Sequence, residues 1–110
     1  MQDLKILQKI YDMLAYGQIC LKQFPKHEKH VLASDIRSTM YRMLELTIRA
    51  NKKYHKKTTL QDLDIEIEVL RTFLRLSLDN HYMNIHKYEV WTKMISEIGK
   101  MLGGWMKATT

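Results

Sequence analysis

Apolar residues recur along this chain at steps of three and four, and they fall into four stretches. The first, about residues 2–22, carries Leu4, Leu7, Tyr11, Leu14 and Leu21, with Ile10 and Met13 flanking. The second, about 25–57, carries Leu32, Ile36, Met40, Met43, Ile48 and Ala50, with Thr39 and Thr47 beside them. The third, about 59–80, carries Leu60, Leu63, Ile67, Leu70, Phe73, Leu74 and Leu78. The fourth, about 84–105, carries Ile85, Tyr88, Trp91, Ile95, Ile98 and Leu102. This spacing keeps each set on one face of a 3.6-residue helix. Four amphipathic helices with short connections predict an all-α fold, an antiparallel up-down-up-down four-helix bundle, as one domain over residues 1–110.

The breaks between stretches have recognisable chemistry. Phe24-Pro25 closes the first helix, and Pro suits the first position of the next. A helix from Pro25 to Lys57 would be roughly 48 Å long, against roughly 31 Å for the first. Its basic end would overhang a bundle or pack on another subunit. Thr59 followed by Asp62 predicts a cap for helix three, and Asn84 predicts one for helix four. Asp62, Asp64, Glu66 and Glu68 suit the positive end of the helix dipole. Gly17 costs roughly 1 kcal/mol in a helix interior relative to Ala. Either it lets a neighbouring helix approach closely or it marks a kink, and spacing does not decide between them.

Charge changes the picture. The formal net charge is +6, and the second stretch alone holds nine Lys and Arg against three carboxylates. Such a concentration fits an anionic partner: nucleic acid, an acidic protein face or an anionic membrane surface. The membrane reading is disfavoured because the core needs this helix's apolar stripe. In the run Lys52-Lys53-Tyr54-His55-Lys56-Lys57 the lysines could neutralise phosphates and Tyr54 could stack on an unpaired base. Arg37, Arg42, Arg49, Lys52, Lys53, Tyr54, Lys56 and Lys57 are therefore the candidate binding residues. A face that is merely solvated is the alternative.

Other chemistry finds little support. His27 and His30 share a helical turn but lack a third ligand, and neighbouring lysines repel a cation, so no metal is expected. No nucleophile sits in an elbow, and no Gly-rich phosphate loop follows a strand, so neither an enzyme nor a cofactor is expected. Cys20 is alone, which suits a reducing cytoplasm. No 18-residue apolar run and no secretory leader are seen, so no membrane association is expected. Trp105 follows Gly103 and Gly104 near the end of the chain. It either packs at the end of the bundle or makes a subunit contact, as Trp often does at interfaces.

Two motifs resemble a known family. Phe24-Pro-Lys-His-Glu-Lys-His-Val-Leu-Ala-Ser-Asp-Ile-Arg37 resembles the start of helix two in small bacterial and phage four-helix-bundle proteins. Ile98-Gly-Lys-Met-Leu-Gly-Gly-Trp-Met-Lys107 resembles their ending, and Leu70–Leu76 and Lys87-Tyr88-Glu89 also fit. These are the accessory variability determinants (Avd) of diversity-generating retroelements. The resemblance implies a homopentameric ring with a basic surface. It further implies binding to the element's reverse transcriptase and template-region RNA or DNA, in support of adenine-mutagenic cDNA synthesis. By charge and position it adds Arg71 and Arg75 to the candidate residues; Gly103, Gly104 and Trp105 are the candidate subunit-interface residues, since glycines let backbones approach and Trp is enriched at interfaces. Bundle proteins encoded in intervening sequences of ribosomal RNA genes share the fold and are the alternative, as is a protein-only assembly factor.

Overall fold

The computed structural model describes residues 2–109, with side chains described from 4 to 109. The two ends of the expected 1–110 domain lie outside the described residues. Four helices account for most of the chain: α1 (Gln2–Leu21), α2 (Leu32–Lys52), α3 (Lys57–Asp79) and α4 (Ile85–Ala108). Among the described residues there is no strand. Each helix packs on its neighbours in sequence, and α4 closes the square against α1.

Side-chain pairs set the helix directions. Between α1 and α4, Lys9 meets Glu97 while Met13 meets Trp91. Between α2 and α3, Arg42 meets Glu66 while Lys53 reaches Thr59. In both cases residue numbers rise on one helix as they fall on the other, so the helices run antiparallel. The result is a four-helix bundle measuring 43 × 23 × 19 Å.

The helix expected over 25–57 is shorter than its periodicity suggests. Lys26–Glu28 form a separate 3₁₀ turn, and α2 starts only at Leu32. Glu28 holds this break. One carboxylate oxygen accepts from the Leu32 N–H (3.4 Å), and the other accepts from the Tyr82 hydroxyl (3.1 Å). Buried Phe24 lies against the Tyr82 ring, with centroids 5.7 Å apart. At the other end α2 stops at Lys52, where Lys53 turns extended at φ −86°, ψ 146°. With 21 residues, α2 is about 31 Å long and has no overhang.

The start of α3 also differs. It begins at Lys57, so Thr59 lies inside the helix, buried, and caps nothing. Lysines act instead. Lys56 Nζ donates to the carbonyls of Ala50 (2.5 Å) and Lys53 (2.6 Å), and Lys53 Nζ donates to Thr59 Oγ1 (3.2 Å). A cation on the last carbonyls of α2 satisfies acceptors that have no partner within the helix. The Asn84 cap is as expected, its Oδ1 accepting from the Lys87 N–H at 2.8 Å. Helix α4 then runs three residues past the expected 105.

Helix α1 carries two apolar stripes, and the periodicity favours the wrong one. The core takes Ile6, Ile10, Met13, Gly17, Cys20 and Leu21. Leu4 and Tyr11, expected in the seam, face outward, as do Ile48 on α2 and Ile85 on α4. Gly17 resolves as a close approach. A Cβ there would lie 2.6 Å from Trp91 Cζ2 and 2.8 Å from Met40 Sδ, so α1, α2 and α4 converge on bare backbone. Trp91 is fully buried, and its indole N–H donates to Met13 Sδ at 3.2 Å.

Candidate nucleic-acid interface

The C-terminus of α2, the N-terminus of α3 and the C-terminus of α4 meet at one pole of the bundle. Tyr54, His55, Lys56, Lys57 and Thr109 line a shallow depression there. Tyr54 is 91% exposed and stands edge-on to His55, ring centroids 4.8 Å apart. A large aromatic that nothing in its own chain covers is a platform on which a base could stack.

The lysines of this pole divide into two kinds. Lys53 and Lys56 are occupied in the turn, on Thr59 and on backbone carbonyls. Lys52 and Lys57 are exposed, and no carboxylate among the described residues pairs with them. The charge concentration read from the sequence is thus partly structural.

The predicted arginines do not gather at the pole. Arg49 lies nearest, paired with Glu45 at 2.9 Å. Arg42 pairs with Glu66 on α3 at 3.4 Å, and Arg37 Nε donates to Gln18 Oε1 on α1 at 3.0 Å. Arg71 lies between α3 and α4, 3.5 Å from Glu68 and 3.4 Å from Ser96 Oγ. Arg75 pairs with Asp79 at 3.4 Å. Fourteen residues of helix place Arg71 about 21 Å from Lys57. Of the ten predicted residues, Lys52, Lys53, Tyr54, Lys56 and Lys57 form the pole, and the five arginines lie along the helices away from it.

A second basic feature escaped the sequence reading. His86, Lys93, Lys100 and Lys107 recur every seven residues on the exposed side of α4. Lys93 and Lys100 have no carboxylate partner among the described residues. Two helical turns separate successive members by about 10.5 Å. The row rises toward the pole, where Met106 and Thr109 line a pocket with Lys57. The signal was present as a seven-residue spacing, but the denser run at 52–57 overshadowed it.

Of the two readings of Trp105, the structure displays end-of-bundle packing: the side chain is only 6% exposed and belongs to the core of its own chain. Gly103 is exposed with nothing within 4 Å of a notional Cβ, and Gly104 is half-buried.

Reactive chemistry is muted. Burial pushes the Cys20 thiol above its ordinary value of 9.0, outweighing the hydrogen bond with Tyr16 and the Lys87 charge that pull it down. It is therefore a thiol, not a nucleophilic thiolate, near neutral pH. Among the described residues no group of three His, Cys, Asp or Glu could hold a metal ion. No helix there is long and apolar enough to cross a membrane.

Comparison with protein families decides the assignment. The model of the bAvd-like family matches residues 4–109. The chain belongs to the bAvd-like family. No curated protein matches it. The match spans nearly all of the bundle, from the first turns of α1 to the last of α4. bAvd-like proteins are accessory proteins, and here the motif at 24–37 spans the α1–α2 connection and the first turns of α2, while that at 98–107 lies on the last turns of α4.

Proposed function

We propose that this bAvd-like chain is a non-catalytic subunit of a diversity-generating retroelement in the bacterial or phage-infected cytoplasm. It assembles with its own copies, in a ring of five. It binds the element's reverse transcriptase and its template RNA or DNA through a basic surface and so supports mutagenic cDNA synthesis. The family match over residues 4–109 carries the accessory role. The nucleic-acid part is supported by the pole, where exposed Lys52 and Lys57 flank the uncovered Tyr54. The row Lys93, Lys100 and Lys107 extends the same charge along α4.

The test is the affinity of the pure protein for single-stranded RNA, measured by fluorescence anisotropy over a range of salt. Each neutralised phosphate contributes a slope of about −0.7 in log K against log salt. Four contacts predict a slope near about −3, falling toward zero in the Lys52, Lys57, Lys93 and Lys100→Glu variant. A salt-independent affinity, or none, contradicts the nucleic-acid part and favours a protein-only assembly factor.

A further inference from the structure

The turn between α2 and α3 is pinned on both sides of Tyr54. Lys56 Nζ bridges the carbonyls of Ala50 and Lys53, and Lys53 Nζ reaches Thr59 Oγ1. The ring they hold out is the most exposed large hydrophobic group among the described residues, at 91%. Its plane stands at 89° to that of His55, a contact that leaves the phenol almost wholly in water. A platform held in place before its partner arrives loses less freedom on binding.

The surroundings of the ring decide what it is suited to meet. The depression around it is completed by His55, Lys56, Lys57 and Thr109, with no aliphatic side chain. An anchor for another protein fills or forms an apolar pocket. The surface of α3 at Ile65, Val69 and Phe73 has that character, and the pole does not. Beside Tyr54 stand Lys52 and Lys57, both exposed and without a carboxylate partner among the described residues. An aromatic face among unneutralised cations matches a strand that offers π-faces and phosphates in turn. Only an unpaired strand does so, because in a duplex the bases are stacked inside and present their edges in the grooves.

We infer that Tyr54 stacks on an unpaired base, so that this pole selects single-stranded nucleic acid over duplex. The inference rests on the proposed nucleic-acid binding and names the form of strand that the basic surface takes. Every base has a π-face, so the selection is for strandedness and not for sequence. Charge alone gives the opposite order. Each phosphate contact contributes a salt slope of about −0.9 on a duplex and about −0.7 on a single strand, so lysines without the ring would favour the duplex at low salt. The order of the two affinities therefore reports on the tyrosine, and the salt slope reports on the lysines.

Fluorescence anisotropy of the whole chain tests this, with a labelled unstructured RNA of about 12 nucleotides and the blunt duplex made from the same strand. The wild-type chain should bind the single strand more tightly than the duplex. Tyr54→Ala should weaken the single strand about 5- to 150-fold and leave both its salt slope and the duplex affinity unchanged. Tyr54→Trp keeps a stacking face and should restore the preference. The position is exposed, so circular dichroism should show the same bundle in all three proteins. If the wild-type chain binds the duplex as tightly as the single strand, or if Tyr54→Ala binds the single strand as the wild type does, the inference is overturned. Nucleic-acid binding then stands, and the ring is left to a protein contact. If neither RNA binds at low salt, the nucleic-acid reading fails and this inference with it.

Discussion

Gly17 and Trp91 define how closely the helices pack: a Cβ on Gly17 would stand 2.6 Å from Trp91 Cζ2. The glycine costs α1 helix propensity and in exchange lets a fully buried indole sit against its backbone. Gly17→Ala should gain roughly 1 kcal/mol of propensity and lose about 1–3 kcal/mol to overpacking, for net destabilisation. Urea unfolding measures it. A more stable variant would show that Trp91 and Met40 yield without strain.

Glu28 and Tyr82 are 54 residues apart in sequence and 3.1 Å apart in space. Their contact holds the break before α2 and the α3–α4 connection together. Tyr82→Phe should cost about 0.5–1.5 kcal/mol. It should also speed hydrogen exchange at the Leu32 amide. Unchanged exchange would mean that Glu28 needs no help to cap α2.

Lysines at the pole should separate by role. Lys56→Ala leaves the terminal carbonyls of α2 without their donor and should lower stability by about 1 kcal/mol. Replacing Lys52 and Lys57 with Ala should leave the unfolding midpoint unchanged and weaken RNA binding. The reverse pattern would place the binding charge on the residues that stitch the turn.

Alkaline pH should destabilise the protein. Burial raises the Cys20 thiol and, by the same cause, the Tyr16 and Tyr82 phenols above their ordinary values of 9.0 and 10.0. A group whose folded pKa is raised adds stability below its unfolded pKa and loses it as pH rises through the folded value. Stability should therefore be flat near neutrality with respect to these groups and fall above about pH 9. Cys20→Ala should flatten the start of that fall. Identical alkaline profiles would show that the thiol plays no part.

The number and order of the helices and the Asn84 cap were legible because they depend on local spacing and on one side chain. The split of 25–57 was not, since it depends on Glu28 meeting Tyr82 from the distant α3–α4 connection. The true core face of α1 was ambiguous because Leu4-Leu7-Tyr11-Leu14 and Ile6-Ile10-Met13 are equally periodic. Only the neighbours decide which stripe turns inward, and Gly17 on the Ile6 side was the available clue. Trp105 looked exposed from its glycine-rich surroundings, whereas α4 continues three residues beyond it and turns the indole into the core. Charge density located the pole but not its division of labour, because donation by Lys56 to carbonyls three and six residues back requires the chain to turn at Lys53.

The accessory role is tested most directly by reconstituting cDNA synthesis from the retroelement's reverse transcriptase and template RNA, with and without this protein. Under the proposed function, full cDNA synthesis requires the wild-type chain and is lost when Lys52, Lys57, Lys93 and Lys100 are replaced by Glu. Equal synthesis by the polymerase alone would contradict it.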